Sequence, residues 1–133
     1  MERPRVVFVC LHGSAKSVIG ASYCARLAER RGVAVEAESA GVEPDASIPP
    51  NVVSGLGADG IDVSGARPRD AAAVDFAGAT RVVAFGCDVP GVPAGVPIEQ
   101  WADVPAVSDD FGRSRDAIVA RVERLVADLE RAG

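Results

Sequence analysis

The chain has 133 residues, 48% of them hydrophobic and 25% charged, with a formal net charge of −5. That length supports one domain with a substantial core, residues 1–133, and that hydrophobic fraction argues against disorder. An acidic balance with no basic, aromatic-studded patch argues against nucleic-acid binding, and the apolar runs are too short to span a bilayer.

Arg5 to Leu11 is a short valine-rich run and reads as a buried parallel strand. The stretch CLHGSAKS follows, residues 10–17, and Ser17 is placed to cap a helix running to about Arg31, with Gly32 just past its end. Val33 to Ser39 alternates apolar and polar residues and reads as a second strand. Residues 40–50 carry Gly41, Pro44, Pro49 and Pro50 and read as loop; Asn51 to Asp59 reads as a helix stopped by Gly60. Ile61 to Val63 is a short extended piece, and Asp70 to Phe76 a short helix. TRVVAFG, residues 80–86, is the other buried-strand candidate. DVPGVPAG, residues 88–95, is loop, and Pro97 to Trp101 a last strand. Phe111 to Ala132 is the clearest helix, with Ile118, Val122, Leu125, Val126 and Leu129 on one face and charges on the other.

Strands alternating with helices predict an α/β domain with a parallel sheet and helices on both faces. Ligands of such sheets bind beyond the carboxyl ends of the strands, where CLHGSAKS falls. A loop entering a helix N-terminus offers outward N–H groups and the positive end of the helix dipole, which favour an anion and a thiolate. Gly13, Ser14 and Ala15 are small enough to let the backbone of residues 11–16 (Leu11, His12, Gly13, Ser14, Ala15, Lys16) curl round a tetrahedral oxyanion. Cys10 supplies a nucleophile, Ser17 a hydrogen bond to its sulfur, and Lys16 a positive charge. Lys16 is the chain's single lysine beside thirteen arginines, and His12 its single histidine.

These residues resemble the low-molecular-weight protein tyrosine phosphatase superfamily, which includes thiol-linked arsenate reductases. Cys10 and Ser17 match its Cys-x5-Arg-Ser opening, with Lys16 in the arginine's place. Ser39-Ala40-Gly41 matches its SAG motif, GIDVSGARPRD its GID stretch at residues 60–70, RVVAFGCD its later strand end at residues 81–88, and the segment from Trp101 its last part. The resemblance implies a four-stranded parallel sheet flanked by helices and a cysteine that attacks phosphorus or arsenic.

The departures matter as much. An ammonium is a point charge, where a guanidinium forks two parallel N–H bonds onto an oxyanion. The family's Asp-Pro general acid is replaced by Ala106 and Val107; Asp103 is the nearest substitute, followed by Asp109 and Asp110. Gly13 stands where the family has asparagine and takes over its unusual backbone conformation. His12 then projects from the loop rim, either as a group contacting substrate or acting as acid or base, or in a packing or solubility role. Cys87 matches the first of the two further cysteines of thioredoxin-linked arsenate reductases. The second would fall at Ala94, so an intramolecular thiol relay is not expected. Cys24 is expected in the core. Arg67 and Arg69 either pair with structural carboxylates or line an anion-attracting rim.

The leading expectation is a cysteine-dependent, phosphatase-like hydrolase acting on a phosphate ester or related oxyanion, with Cys10, Lys16, Ser17 and Asp103 as its catalytic set. Three alternatives stand beside it: arsenate reduction with an external thiol reductant, binding of a phospho-ligand without turnover, and recruitment of the loop to another reaction. The expected partner is a small anionic substrate, with no nucleic acid, membrane, metal or cofactor. Three cysteines without metal-ligand spacing, and a start, MERPRVVFVC, without a signal-peptide core, point to the cytoplasm.

Overall fold

A computed structural model describes residues 3–132. Its elements run β1 (Arg5–Cys10), α1 (Lys16–Arg30), β2 (Glu36–Gly41), α2 (Pro50–Ala58), β3 (Arg81–Ala84), β4 (Ile98–Gln100) and α3 (Phe111–Ala132). The four strands form one sheet in the order β2-β1-β3-β4, and every pairing is parallel. β1 is central and its Val6 to Val9 are fully buried, as a valine-rich run covered on both faces should be.

The second strand begins three residues later than the alternation predicts, and its register explains why. Glu36 lies opposite Arg5, the first residue of β1, so Val33 to Val35 precede any partner strand. α1 closes as its sequence predicts. Gly32 has φ +68°, its N–H donates to the Glu29 carbonyl (3.1 Å), and the Val33 N–H donates to the Ala28 carbonyl (2.8 Å). This pair of bonds satisfies carbonyls that the helix end leaves open.

Asp70 to Phe76 is not one helix. Two single 3-10 turns, Ala71–Ala73 and Phe76–Gly78, replace it. Each starts at an aspartate whose carboxylate accepts from the backbone two residues on, Asp70 from Ala72 (2.9 Å) and Asp75 from Ala77 (3.0 Å). These local bonds compete with a continuous helix, and Val74 between them is extended.

The helical cover of the sheet is uneven. α1, α2 and α3 all pack with Val6, Phe8, Cys10 and Val83, on one face. Val7, Val9, Ala40 and Val82 face the other way, under the two 3-10 turns and the loop carrying Val89, Val92 and Val96. α3 buries Ile118, Val122, Leu125, Val126 and Leu129, the face its periodicity marks. No helix among the described residues is long and apolar enough to cross a membrane.

Candidate functional site

β1 runs one way to β2 through α1, while β3 lies on its other side, so a crevice opens beyond the carboxyl ends of β1 and β3. Cys10, the last residue of β1, lies there, 8% exposed. It lines a cavity of about 330 Å³ together with Leu11, His12, Ser14, Ala15 and Lys16. Pro49 and Asn51 at the start of α2, Phe85 after β3, and Ala106, Val107 and Ser108 before α3 complete the wall.

The loop after Cys10 is oriented by its carbonyls. Those of Cys10, Leu11 and His12 accept from the N–H groups of Val42, Glu43 and Asp45, at 3.3, 2.7 and 3.0 Å. In a trans peptide the following N–H points the opposite way, so the amides of Leu11, His12 and Gly13 turn away from the 42–45 segment. Gly13 has φ +62°, the left-handed conformation expected for it. A Cβ there would lie 2.5 Å from the Gly41 nitrogen, and one on Gly41 would lie 2.5 Å from the Gly13 nitrogen. The two glycines thus lock the cysteine loop onto the end of β2.

Ser17 does not cap α1. The N-cap is Ala15, which has no side-chain oxygen to offer, so the first amides of a fifteen-residue helix are left without a side-chain cap. An open helix N-terminus of this kind receives an anion readily. Ser17 is instead fully buried, its Oγ 3.1 Å from the Cys10 sulfur. The thiol can donate to that hydroxyl, and a thiolate would accept from it.

Lys16 lines the cavity, and its ammonium donates to the Val104 carbonyl (3.0 Å). It thereby ties the cysteine loop to the segment between β4 and α3. Asn51 does the same from α2, its amide nitrogen 3.4 Å from the Val107 carbonyl. Ser14 is buried and donates to Asp45 Oδ2 (2.8 Å). The His12 Nδ1 is 3.1 Å from the Glu43 carbonyl and 3.7 Å from Asp45 Oδ1. A carbonyl oxygen only accepts, so Nδ1 carries the proton of the neutral ring and Nε2 is left free.

Asp103, expected as the acid, lies outside the cavity. Its side chain is 79% exposed, pairs with Arg121 of α3 (2.5 Å), and is not among the residues lining the cavity. Asp110 is also spent elsewhere, accepting from the Arg113 amide (3.1 Å) in the first turn of α3. Val104 and Val107 are buried apolar residues and hold the segment down, which turns Asp103 outward.

The other cysteines are free thiols. Cys24 is fully buried, and burial pushes its thiol up to about 11. Cys87 is half-buried, its sulfur 3.7 Å from the Val9 carbonyl. Burial first, and the proximity of Cys10 second, raise its pKa. Arg69 pairs with Glu38 (2.6 Å), which also meets Arg5, and takes the structural role. Arg67 is exposed.

Sequence reasoning missed Asp45, Asn51 and Phe85. Each comes from a separate connection or element, and no local pattern marks it; only the sheet order brings these residues to the cysteine loop.

Known proteins share this fold. The family model described as low molecular weight phosphotyrosine protein phosphatase matches residues 5–88. No match is found among curated proteins. Among solved structures, the thioredoxin-dependent arsenate reductase of Corynebacterium glutamicum is 25% identical with a TM-score of 0.82, covering 98% of this chain and 64% of its own. This chain therefore spans under two thirds of that protein's length. The low molecular weight protein tyrosine phosphatase of T. tengcongensis shares the fold at 21% identity and a TM-score of 0.82, over 94% of this chain and 99% of its own. An arsenate reductase of Archaeoglobus fulgidus does so at 24% and 0.70, over 92% and 98%. With a family match across more than half its length, the chain belongs to the low molecular weight phosphotyrosine protein phosphatase family.

Proposed function

We propose that the protein is a cysteine-based hydrolase of phosphate esters. One observation carries the reading: Cys10 sits at the end of β1, 3.1 Å from Ser17 Oγ, beside the uncapped N-terminus of α1, on the wall of an open cavity. The amides of residues 11–16 and the Lys16 ammonium stabilise the phosphoryl oxygens, and Ser17 supports the thiolate. The sulfur attacks phosphorus, the ester oxygen leaves, and water then hydrolyses the thiophosphate. The ligand is a small anion held by point charge and backbone amides, with Phe85 and Val107 offering apolar wall to an aryl group.

Hydrolysis of an activated aryl phosphate by the wild type and Cys10→Ser tests the reading. Turnover abolished in the variant supports it; turnover that survives in the variant rejects it.

A second reading, arsenate reduction with an external thiol, is favoured by the 25% identity to the Corynebacterium arsenate reductase. It uses the same nucleophile and cradle, with the reducing equivalents brought by the outside thiol. Arsenite release that requires both a thiol and Cys10 separates it from hydrolysis.

A further inference from the structure

We propose that His12 is the proton donor to the leaving oxygen. The inference rests on the phosphatase reading and assigns the acid that the site otherwise lacks. Among the described residues, the titratable ones lining the cavity are Cys10, His12 and Lys16, and no carboxylate residue is with them. Cys10 is the nucleophile, and the Lys16 ammonium is engaged with the Val104 carbonyl. Asp103 is held outside by Arg121. Among the described residues, His12 alone both borders the cavity and carries a side chain of the kind that exchanges protons near neutral pH.

The histidine is also positioned. Its Nδ1 donates to the Glu43 carbonyl at 3.1 Å, which leaves Nε2 as the atom that gives and takes the catalytic proton. Asp45 lies 3.7 Å from Nδ1 and so faces the ring when it is doubly protonated. Ser14, donating to the other oxygen of Asp45 at 2.8 Å, fixes that carboxylate. Glu43 and Asp45 are themselves held by the Leu11 and His12 carbonyls through their own amides. The acid is thus clamped to the loop that carries the nucleophile. This is an economical way to keep the two in step.

In the first step a sulfur–phosphorus bond forms, the phosphorus–oxygen ester bond breaks, and the departing oxygen takes the proton from Nε2. In the second, water attacks phosphorus, Nε2 accepts its proton, and the sulfur–phosphorus bond breaks. Ester and water become alcohol and phosphate, with thiolate and imidazolium restored.

A leaving-group series tests this: dinitrophenyl, nitrophenyl and phenyl phosphates with the wild type, His12→Asn and Cys10→Ser. Asparagine keeps an N–H for the Glu43 carbonyl and has no proton to yield. A general acid matters most for the poorest leaving group, so kcat/KM for phenyl relative to dinitrophenyl phosphate should fall about 100-fold in His12→Asn. Cys10→Ser should be inactive on all three esters. A loss in His12→Asn that is equal across the series overturns the role of His12 and leaves the Cys10 reading standing. No turnover of dinitrophenyl phosphate by folded wild type overturns both.

Discussion

Gly13 and Gly41 show how closely two backbones meet at this site. A Cβ on Gly41 would lie 2.5 Å from the Gly13 nitrogen and 2.6 Å from the His12 carbonyl carbon, atoms that cannot rotate away. Gly41→Ala should therefore destabilise the protein by about 2 kcal/mol and weaken phosphate binding. Chemical denaturation and calorimetry with phosphate read the two effects, and an unchanged midpoint would show that the loop yields freely. Lys16 is the second residue that matters singly. Its ammonium has three donors, and the Val104 carbonyl uses one. Lys16→Arg should tighten phosphate binding about tenfold, because a guanidinium presents two parallel bonds to an oxyanion. An unchanged or weaker affinity would mean that the link to Val104, rather than donor geometry, sets the strength of the site.

At the scale of elements, the segment between β4 and α3 decides which carboxylates reach the cavity. Its buried Val104 and Val107 face the core, Lys16 and Asn51 take two of its carbonyls, and Ala106 to Ser108 form wall. Asp103 is left on the outside, paired with Arg121. Exposed ion pairs contribute about 0–1 kcal/mol, so Asp103→Ala should change the unfolding free energy by less than about 1 kcal/mol and kcat/KM by less than about twofold. A hundredfold drop in kcat/KM would restore Asp103 as the acid. The central strand and the last helix were readable because apolar runs and a long one-faced pattern outvote local alternatives. Residues 70–76 read as a short helix and are not one, because Asp70 and Asp75 each start a turn of their own.

At the scale of the whole molecule, three helices meet at Asp59, just past the end of α2. It accepts from the Tyr23 hydroxyl of α1 and lies 3.2 Å from Arg115 of α3; its carbonyl accepts from Arg26 of α1. Burial first, and the bond to Asp59 second, push the Tyr23 phenol up to about 12. A phenol that holds its proton more tightly in the folded state stabilises it below pH ~10, and that stabilisation is lost as pH rises from ~10 through about 12. Urea midpoints followed over that range should fall for the wild type. They should fall less for Tyr23→Phe, which should also lose roughly 1 kcal/mol at neutral pH. Parallel curves for the two proteins would remove Tyr23 from the alkaline transition.

By itself the sequence determined the α/β class, the strand that ends at Cys10, the helix that starts at the cysteine loop, the left-handed Gly13 and the closing helix. These follow from valine-rich runs, helical periodicity and glycine positions, which act over a few residues and leave a local trace. Only the tertiary structure decided that the α-helices share one face of the sheet, that Asp103 turns outward, and that His12 is braced by Glu43 and Asp45. These are contacts between residues distant in the chain. They are set by sheet order and by which valines a connecting segment buries, and neither quantity is written in the local pattern.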